Sequence, residues 1–433
     1  MKALAARLRD EPRVRKAMLA RRIGRYPYFE PVGSASLPEL EVGGETLLNF
    51  GSNNYLGLAA DRRTIAAGQT ALRDFGSGTT GSRLLNGTLR LHEALEARLA
   101  TFYDMDAALV FPTGYAANLG LISGVFERGD LIVADRDAHA SLLDGIALSG
   151  AEFRRFPHNR TAAAGRLLAQ ALKGRATGLV VEGIYSMCGD AAPLGALADL
   201  AEGRGAFLIV DEAHGLGTVG ARGRGGAELA GALGRVDAVT VTFSKSLGSC
   251  GGAVIGSRDL IEALRARSRP FIFTASNTPA SIASALAALD ILIDAPELVD
   301  ELQGRANALR LALEAHAVRA RRSDGPIITV PTGGDFETLQ AWRMLRNRGV
   351  FCNPVMTPAV PEGQGLIRLS VMRTHTDEHI AAVAAAFGEI APWLAGEVRN
   401  QSLEAAIPGA AGATVRAEEP QRLSADVGRS GAP

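Results

Sequence analysis

The sequence predicts an α/β fold, with a mainly parallel sheet in a large domain and a smaller α+β C-terminal domain after it. Two observations carry that expectation. From about Leu89 onward short apolar runs alternate with stretches of helical periodicity, and after Pro279 the texture changes to long helices followed by isolated strand-like runs. A chain of 433 residues with 47% hydrophobic composition can bury the core this needs.

The expected strands of the large domain are Ala107 to Phe111, Asp130 to Ala134, Gly178 to Val181, Ala206 to Val210, Ala238 to Phe243 and Ala253 to Ile255. Helices between them include Thr88 to Phe102, with Thr88 as its N-cap, and Leu194 to Glu202. In the smaller domain, helices are expected at Ala280 to Ile293, Glu297 to His316 and Asp377 to Leu394, and strands at Ile327 to Val330 and Leu366 to Val371. The resulting division is 1–48, an N-terminal helical segment; 49–285, the large domain; 286–397, the small domain; and 398–433, a tail with too few large apolar residues to pack. No internal repeat of fixed period is visible.

Lys plus Arg (46) equal Asp plus Glu (46), so no net field draws the chain onto nucleic acid, and a small or neutral partner is expected. Cys188, Cys250 and Cys352 are few, odd in number and far apart, which fits reduced thiols in a cytoplasmic protein. No Cys/His spacing suggests a metal. The start lacks the pattern of a secretory signal, and no run of about 18 apolar residues exists to span a bilayer. The first segment is basic, with Arg7, Arg9, Arg13, Arg15, Lys16, Arg21 and Arg22 among Leu4, Leu8, Met18 and Leu19. A helix lying across the body or a dimer partner is the simpler reading, and a peripheral membrane contact is the alternative.

Two stretches match the dinucleotide fingerprint GxGxxG, Gly76 to Gly81 and Gly215 to Gly220, and both fail on context. The first follows a helical stretch, and the second runs into a glycine- and arginine-rich segment that cannot open a helix. Asp211-Glu212-Ala213-His214 spells a helicase box, but no GxxxxGK[ST] loop accompanies it to hold nucleotide phosphates.

The stretch Val239 to Gly252 carries more chemistry. Lys245 follows a buried apolar strand and precedes small residues, where desolvation lowers an amine's pKa and makes it a nucleophile toward an aldehyde. Most lysines are solvated surface groups; the apolar run before this one and the room after it weaken that reading. Thr242 and Ser244 offer hydroxyls to a phosphate. A second strand ends in Asp211, at the carboxyl edge where α/β sheets bind ligands, and there a carboxylate can pair with a pyridinium nitrogen. His214, three residues on, can reach a ring hydroxyl. A strand-end aspartate often only caps a loop, so the signal rests on the lysine as well.

Seven ordered motifs extend it: Ser52 to Gly57, Thr113 to Asn118, Ala138 to Ser141, Glu182 to Met187, Asp211 to His214, Thr242 to Lys245 and Leu366 to Ser370. Over roughly Asn49 to Leu394 the chain resembles the α-oxoamine synthases, fold-type I enzymes that use pyridoxal 5'-phosphate. The resemblance implies that Lys245 is bonded to the coenzyme aldehyde, Asp211 holds the pyridine nitrogen and His139 stacks on the ring. Ser186 and His214 would sit near the ring oxygen, and Thr242 with the amides of Gly114 and Tyr115 at a helix start would hold the phosphate. Thr274 would reach the phosphate of a neighbouring subunit, which implies a homodimer with shared sites. Arg368 would bind the substrate carboxylate as a planar fork, assisted by Asn53; an arginine in a surface ion pair is the competing reading.

Phe75 to Thr88 and Arg269 to Ser276 resemble the segments of serine palmitoyltransferases, which favours serine as the amino acid and an acyl thioester as the second substrate. Synthases using alanine or glycine are the nearest alternative. Asn277-Thr278-Pro279 and Arg373 depart from the pattern at the expected acyl entrance, leaving chain length and carrier, coenzyme A or acyl carrier protein, open. His92, His158, His316 and His379 show no partner pattern in the sequence.

Overall fold

A computed structural model describes residues 2–22, 26–171 and 174–396. The tail expected at 398–433 lies outside the described residues. Met1–Ala391 form one compact unit, and a second begins at Pro392.

Two helices, Lys2–Asp10 and Pro12–Arg22, open the chain, with Leu4, Leu8, Met18 and Leu19 all exposed. A hairpin follows, β1 (Glu39–Val42) and β2 (Glu45–Asn49), so the helical character expected for 1–48 is confined to its first half. Its turn is Gly43-Gly44, at φ of +62° and +84°. Two successive left-handed residues give the turn whose twist matches a hairpin, and glycine adopts them without steric cost.

The central sheet contains β3 (Ala107–Phe111), β4 (Leu131–Asp135), β5 (Glu152–Phe156), β6 (Thr177–Glu182), β7 (Phe207–Asp211), β8 (Ala238–Thr242) and β9 (Gly252–Gly256). Their order is β3-β9-β8-β7-β6-β4-β5; β9 alone runs against its neighbours. Every residue of β4, β6, β8 and β9 is buried, which is why these strands read as continuous small or apolar runs. β5 escaped the sequence reading because Arg154 and Arg155 interrupt it. It is an edge strand, and charged side chains there discourage pairing with another sheet.

The helix expected from Thr88 spans Arg90–Tyr103, and Thr88 does not cap it. The Thr88 hydroxyl is engaged by Arg83, donating to its carbonyl at 2.6 Å, and His92 Nδ1 instead accepts from the Leu89 amide at 3.1 Å. Later in the chain, helices Pro279–Asp294 and Glu297–Ala315 precede β10 (Ile327–Gly333), β11 (Val350–Phe351), β12 (Asn353–Val355) and β13 (Gly365–Ser370). The helix Pro279–Asp294 packs on Arg62–Phe75 and runs through position 285. β10, β13 and β12 form an antiparallel sheet, while β11 joins β2 in parallel. That junction carries the residues after β2 to β13, where the Ser370 amide donates to the Phe50 carbonyl at 2.7 Å. Among the described residues no helix is long and apolar enough to cross a membrane.

Candidate active site

Strands β4, β6, β7 and β8 end, on one edge of the sheet, in Asp135, Glu182, Asp211 and Thr242. Glu182 and Asp211 are register partners on adjacent strands, so their side chains project to the same face. A cavity of about 240 Å³ lies at this edge, lined by both carboxylates together with Gly114, Tyr115, His139, His214, Thr242 and Lys245. Sequence positions more than a hundred residues apart are thus collected around one space.

The sequence has four lysines, Lys2, Lys16, Lys173 and Lys245, and among the described residues Lys245 is the one that lines this cavity. Burial pulls its amine from 10.5 down to about 8, with Arg368 acting in the same direction and Asp211 and Glu182 opposing. About a tenth is then the free base at pH 7 and about half near pH 8, against a trace for an ordinary lysine, and the free base is the form that adds to an aldehyde.

Asp211 is buried and fixed by two donors, Asn118 Nδ2 at 2.7 Å and the Ala213 amide at 2.9 Å. Asn118 Nδ2 also donates to Ser141 Oγ at 2.9 Å, and Ser141 Oγ lies 2.8 Å from His139 Nδ1. His139 caps the helix Ala140–Ser149 by accepting from the Ser141 amide, and burial lowers its pKa. His214 is buried beside Tyr55, whose hydroxyl lies 2.8 Å from Nδ1; burial holds its pKa well below 6.5, so the ring is neutral.

At the other end of the cavity the helix Gly114–Val125 begins, with Thr113 as N-cap accepting from Ala116 at 3.0 Å. The amides of Gly114 and Tyr115 fall in the first turn, where helix N–H groups lack intrahelical partners and favour an anion. Thr242 Oγ1 and Ser244 Oγ lie 2.9 Å apart beside it. A Cβ on Gly114 would come within 2.7 Å of Thr242 Cβ, so glycine is what permits this approach.

Arg368 lies on β13 and is buried, so the surface ion-pair reading is excluded. Its Nε donates to the Ser186 carbonyl at 2.8 Å, both terminal nitrogens to Asn53 Oδ1 at 3.2 Å, and Nη1 to Ser370 Oγ at 3.0 Å. Arg368 and Asn53 are therefore brought together. Ser186 is buried but does not line the cavity; its carbonyl orients Arg368. Tyr115 is half-exposed and its hydroxyl bonds Asp144, leaving its amide for a ligand. Thr274 lies outside the cavity lining, next to the Ser82–Ala275 bridge.

Tyr55, Asn118, Ser141 and Glu182 join the site without having been singled out. All four lie inside the recognisable motifs, as polar residues next to or between apolar ones, and a polar group where burial is expected was the available signal. The helicase-like box is explained in the same terms: Asp211 and His214 belong to the site, while Glu212 Oε2 and Oε1 accept from the Gly226 and Ala227 amides at 2.9 and 2.8 Å. His158, for which no partner was expected, bonds Asp135 at 3.1 Å through Nδ1 and Asp190 at 2.9 Å through Nε2. His92 also has partners, the Leu89 amide and Ser276 Oγ at 3.1 Å. Apart from the Leu89 amide, which caps the start of His92's own helix, these partners come from other elements, out of reach of a sequence pattern.

A buried amine of lowered pKa, a carboxylate fixed by two donors, and a helix start beside two hydroxyls are groups that suit pyridoxal phosphate. Buried oxygens with no partner, Glu182 Oε1 and Asn118 Oδ1, fit a cavity made for a polar ligand. The profile of the family described as aminotransferase class I and II matches residues 45–387. A serine palmitoyltransferase from Caulobacter vibrioides is 42% identical over 374 residues, 85% of this chain and 92% of that protein. An 8-amino-7-oxononanoate synthase from Anaeromyxobacter sp. is 40% identical over 368 residues, covering 84% and 92%. A solved serine palmitoyltransferase with its PLP internal aldimine matches at a TM-score of 0.86 and 36% identity, covering 89% of this chain and 98% of that one. The chain belongs to the aminotransferase class I and II family, within its α-oxoamine synthase branch.

Proposed function

We propose that this enzyme condenses L-serine with a long-chain acyl thioester, on coenzyme A or an acyl carrier protein, to give a 3-keto long-chain base. Carbon dioxide and the carrier thiol leave, and the product would feed sphingolipid synthesis. The observation that carries this reading is the buried Arg368–Asn53 pair, which lies outside the cavity lining, is joined through Tyr55 and His214 to the wall of the Lys245 cavity, and is read as the receptor of the substrate carboxylate.

Pyridoxal phosphate, when bound, supplies an electron sink for the pair released as the amino acid loses its α-proton or carboxylate. Asp211 keeps a proton at the pyridine nitrogen, and its two donors prevent it from turning away. Arg368 receives the serine carboxylate, with Asn53 beside it. Lys245 Nζ accepts the α-proton, which its lowered pKa permits near neutral pH. His139, on the same cavity wall, supports the ring and presents a neutral imidazole to the thioester carbonyl.

The active unit is read as a homodimer. Thr274 sits beside apolar side chains that one subunit leaves uncovered, Phe273 at 72% and Leu85 at 80% exposure, and a partner subunit would bury them. Residues 2–22, basic and with exposed leucines, are read as lying on that partner rather than on a bilayer. Three free cysteines fit a reducing cytoplasm.

Purified enzyme supplied with serine, alanine or glycine and with long-chain thioesters on either carrier, followed by mass spectrometry, tests the reading. A 3-keto long-chain base formed from serine is expected. An aminoketone formed from alanine or glycine alone would assign the oxononanoate-synthase type of reaction, which the 40% identical Anaeromyxobacter relative keeps as the second reading.

A further inference from the structure

Glu182 lines the cavity, is 2% exposed, and stands in register with Asp211 on the next strand. Its Oε2 accepts from the Ser186 amide at 3.3 Å, and the His139 backbone also hydrogen-bonds to the carboxyl. Its Oε1 has no partner. The group is not needed to hold the pyridine nitrogen or to accept the α-proton, so its place there calls for another explanation.

Two anions side by side on neighbouring strands, both out of water, repel one another. Burial first, and Asp211 second, push the Glu182 pKa well above its ordinary value. A neutral Glu182 resolves the conflict and keeps its reach to the backbone. That reach joins two turns which each carry a working residue. One turn holds His139 at the start of its helix. The other holds Ser186, whose carbonyl accepts from Arg368 Nε at 2.8 Å.

We infer that Glu182 is a positioning residue, a neutral carboxyl strut between the His139 and Ser186 turns that sets the Ser186 carbonyl and, through it, the Arg368 guanidinium that receives the substrate carboxylate. The inference rests on the assignment of Arg368 to that carboxylate. It also gives the role of Ser186 a definite form, a backbone carbonyl rather than a hydroxyl at the ring.

The test compares Glu182→Gln and Glu182→Ala in the holoenzyme, by titrating the coenzyme absorbance with amino acid and by measuring KM and kcat separately. Gln, neutral and of the same shape, is expected to keep serine affinity within about twofold. Ala should raise the serine dissociation constant and KM about tenfold, the consequence of one lost buried hydrogen bond, with coenzyme content retained and kcat changed much less. A shortened Glu182→Asp, unable to span the gap, carries the same expectation should the Ala variant not retain coenzyme. Glu182→Gln should also leave unchanged the pH midpoint of the coenzyme absorbance, because no charge is removed. An Ala variant that binds serine as the parent does, a Gln variant as impaired as Ala, or a midpoint moved by the Gln change would overturn the inference. A parent enzyme whose absorbance answers to alanine or glycine instead of serine would revise the proposed substrate, and the same comparison then proceeds with that amino acid.

Discussion

Two clusters of ionisable side chains sit at the carboxyl edge of the same sheet and are satisfied in opposite ways. Around His158, both ring nitrogens have carboxylate partners, Asp135 and Asp190, and Cys188 Sγ donates to Asp190 at 2.6 Å. His158, Cys188 and Asp190 bring ligand-type atoms within 4.8 Å of one another, and those atoms already bond one another. The imidazole pKa is raised to about 12 by its carboxylates, which overcome its burial. In the cavity beside it burial wins: the Lys245 amine falls to about 8, and Glu182 and Asn118 each keep an unpartnered buried oxygen. A charge made more stable by its neighbours holds a fold together, whereas a charge made less stable, next to unspent hydrogen-bonding capacity, awaits a ligand.

The contrast predicts that changes in the cavity cost turnover while changes at His158 cost stability. Lys245→Ala should lower kcat/KM by roughly a thousandfold or more, without lowering the melting temperature of the folded protein; an active variant would erase the distinction. Asp211→Asn should lower kcat by about a hundredfold or more, because an amide cannot keep the ring nitrogen protonated. Arg368→Lys should raise the serine KM by about tenfold to a hundredfold with a smaller effect on kcat, since an ammonium cannot replace a planar fork.

Capture of coenzyme by the apoenzyme should accelerate with a midpoint near pH 8 and level off above it, following the free amine of Lys245; a rate flat across that range would contradict the lowered pKa. The smallest effect on activity is expected from His158→Gln, with a stability loss of about 2 kcal/mol. A pKa raised from 6.5 to about 12 gives stability that is complete below pH 6.5 and is lost as pH rises toward 12. Denaturant unfolding should therefore show the parent weakening across that window and the variant following a flatter line.

Much of this architecture could be read from residue order. The fully buried strands β4, β6, β8 and β9 and the nearly buried β7 announced themselves as short apolar runs, and Lys245, Asp211 and Arg368 stood out as charges at the ends of, or on, such runs. β5 did not, because an edge strand has no need to be apolar. The β1–β2 hairpin carried a readable Gly43-Gly44 signal inside a segment whose basic helices dominated the reading. Thr88 looked like a cap until Arg83, folded back on it, claimed the hydroxyl. Glu182, Asn118 and Tyr55 went unassigned for a different reason: their roles depend on which neighbour a strand register or a helix start delivers, as Asp211 is delivered to Glu182.

Whether Lys245 carries the coenzyme is decided by borohydride reduction of the holoenzyme followed by peptide mass spectrometry. With four lysines in the chain the outcome is discrete. A pyridoxyl group is expected on the peptide containing Lys245 and on none of those containing Lys2, Lys16 or Lys173; a label on one of those three, or no label at all, would overturn the assignment.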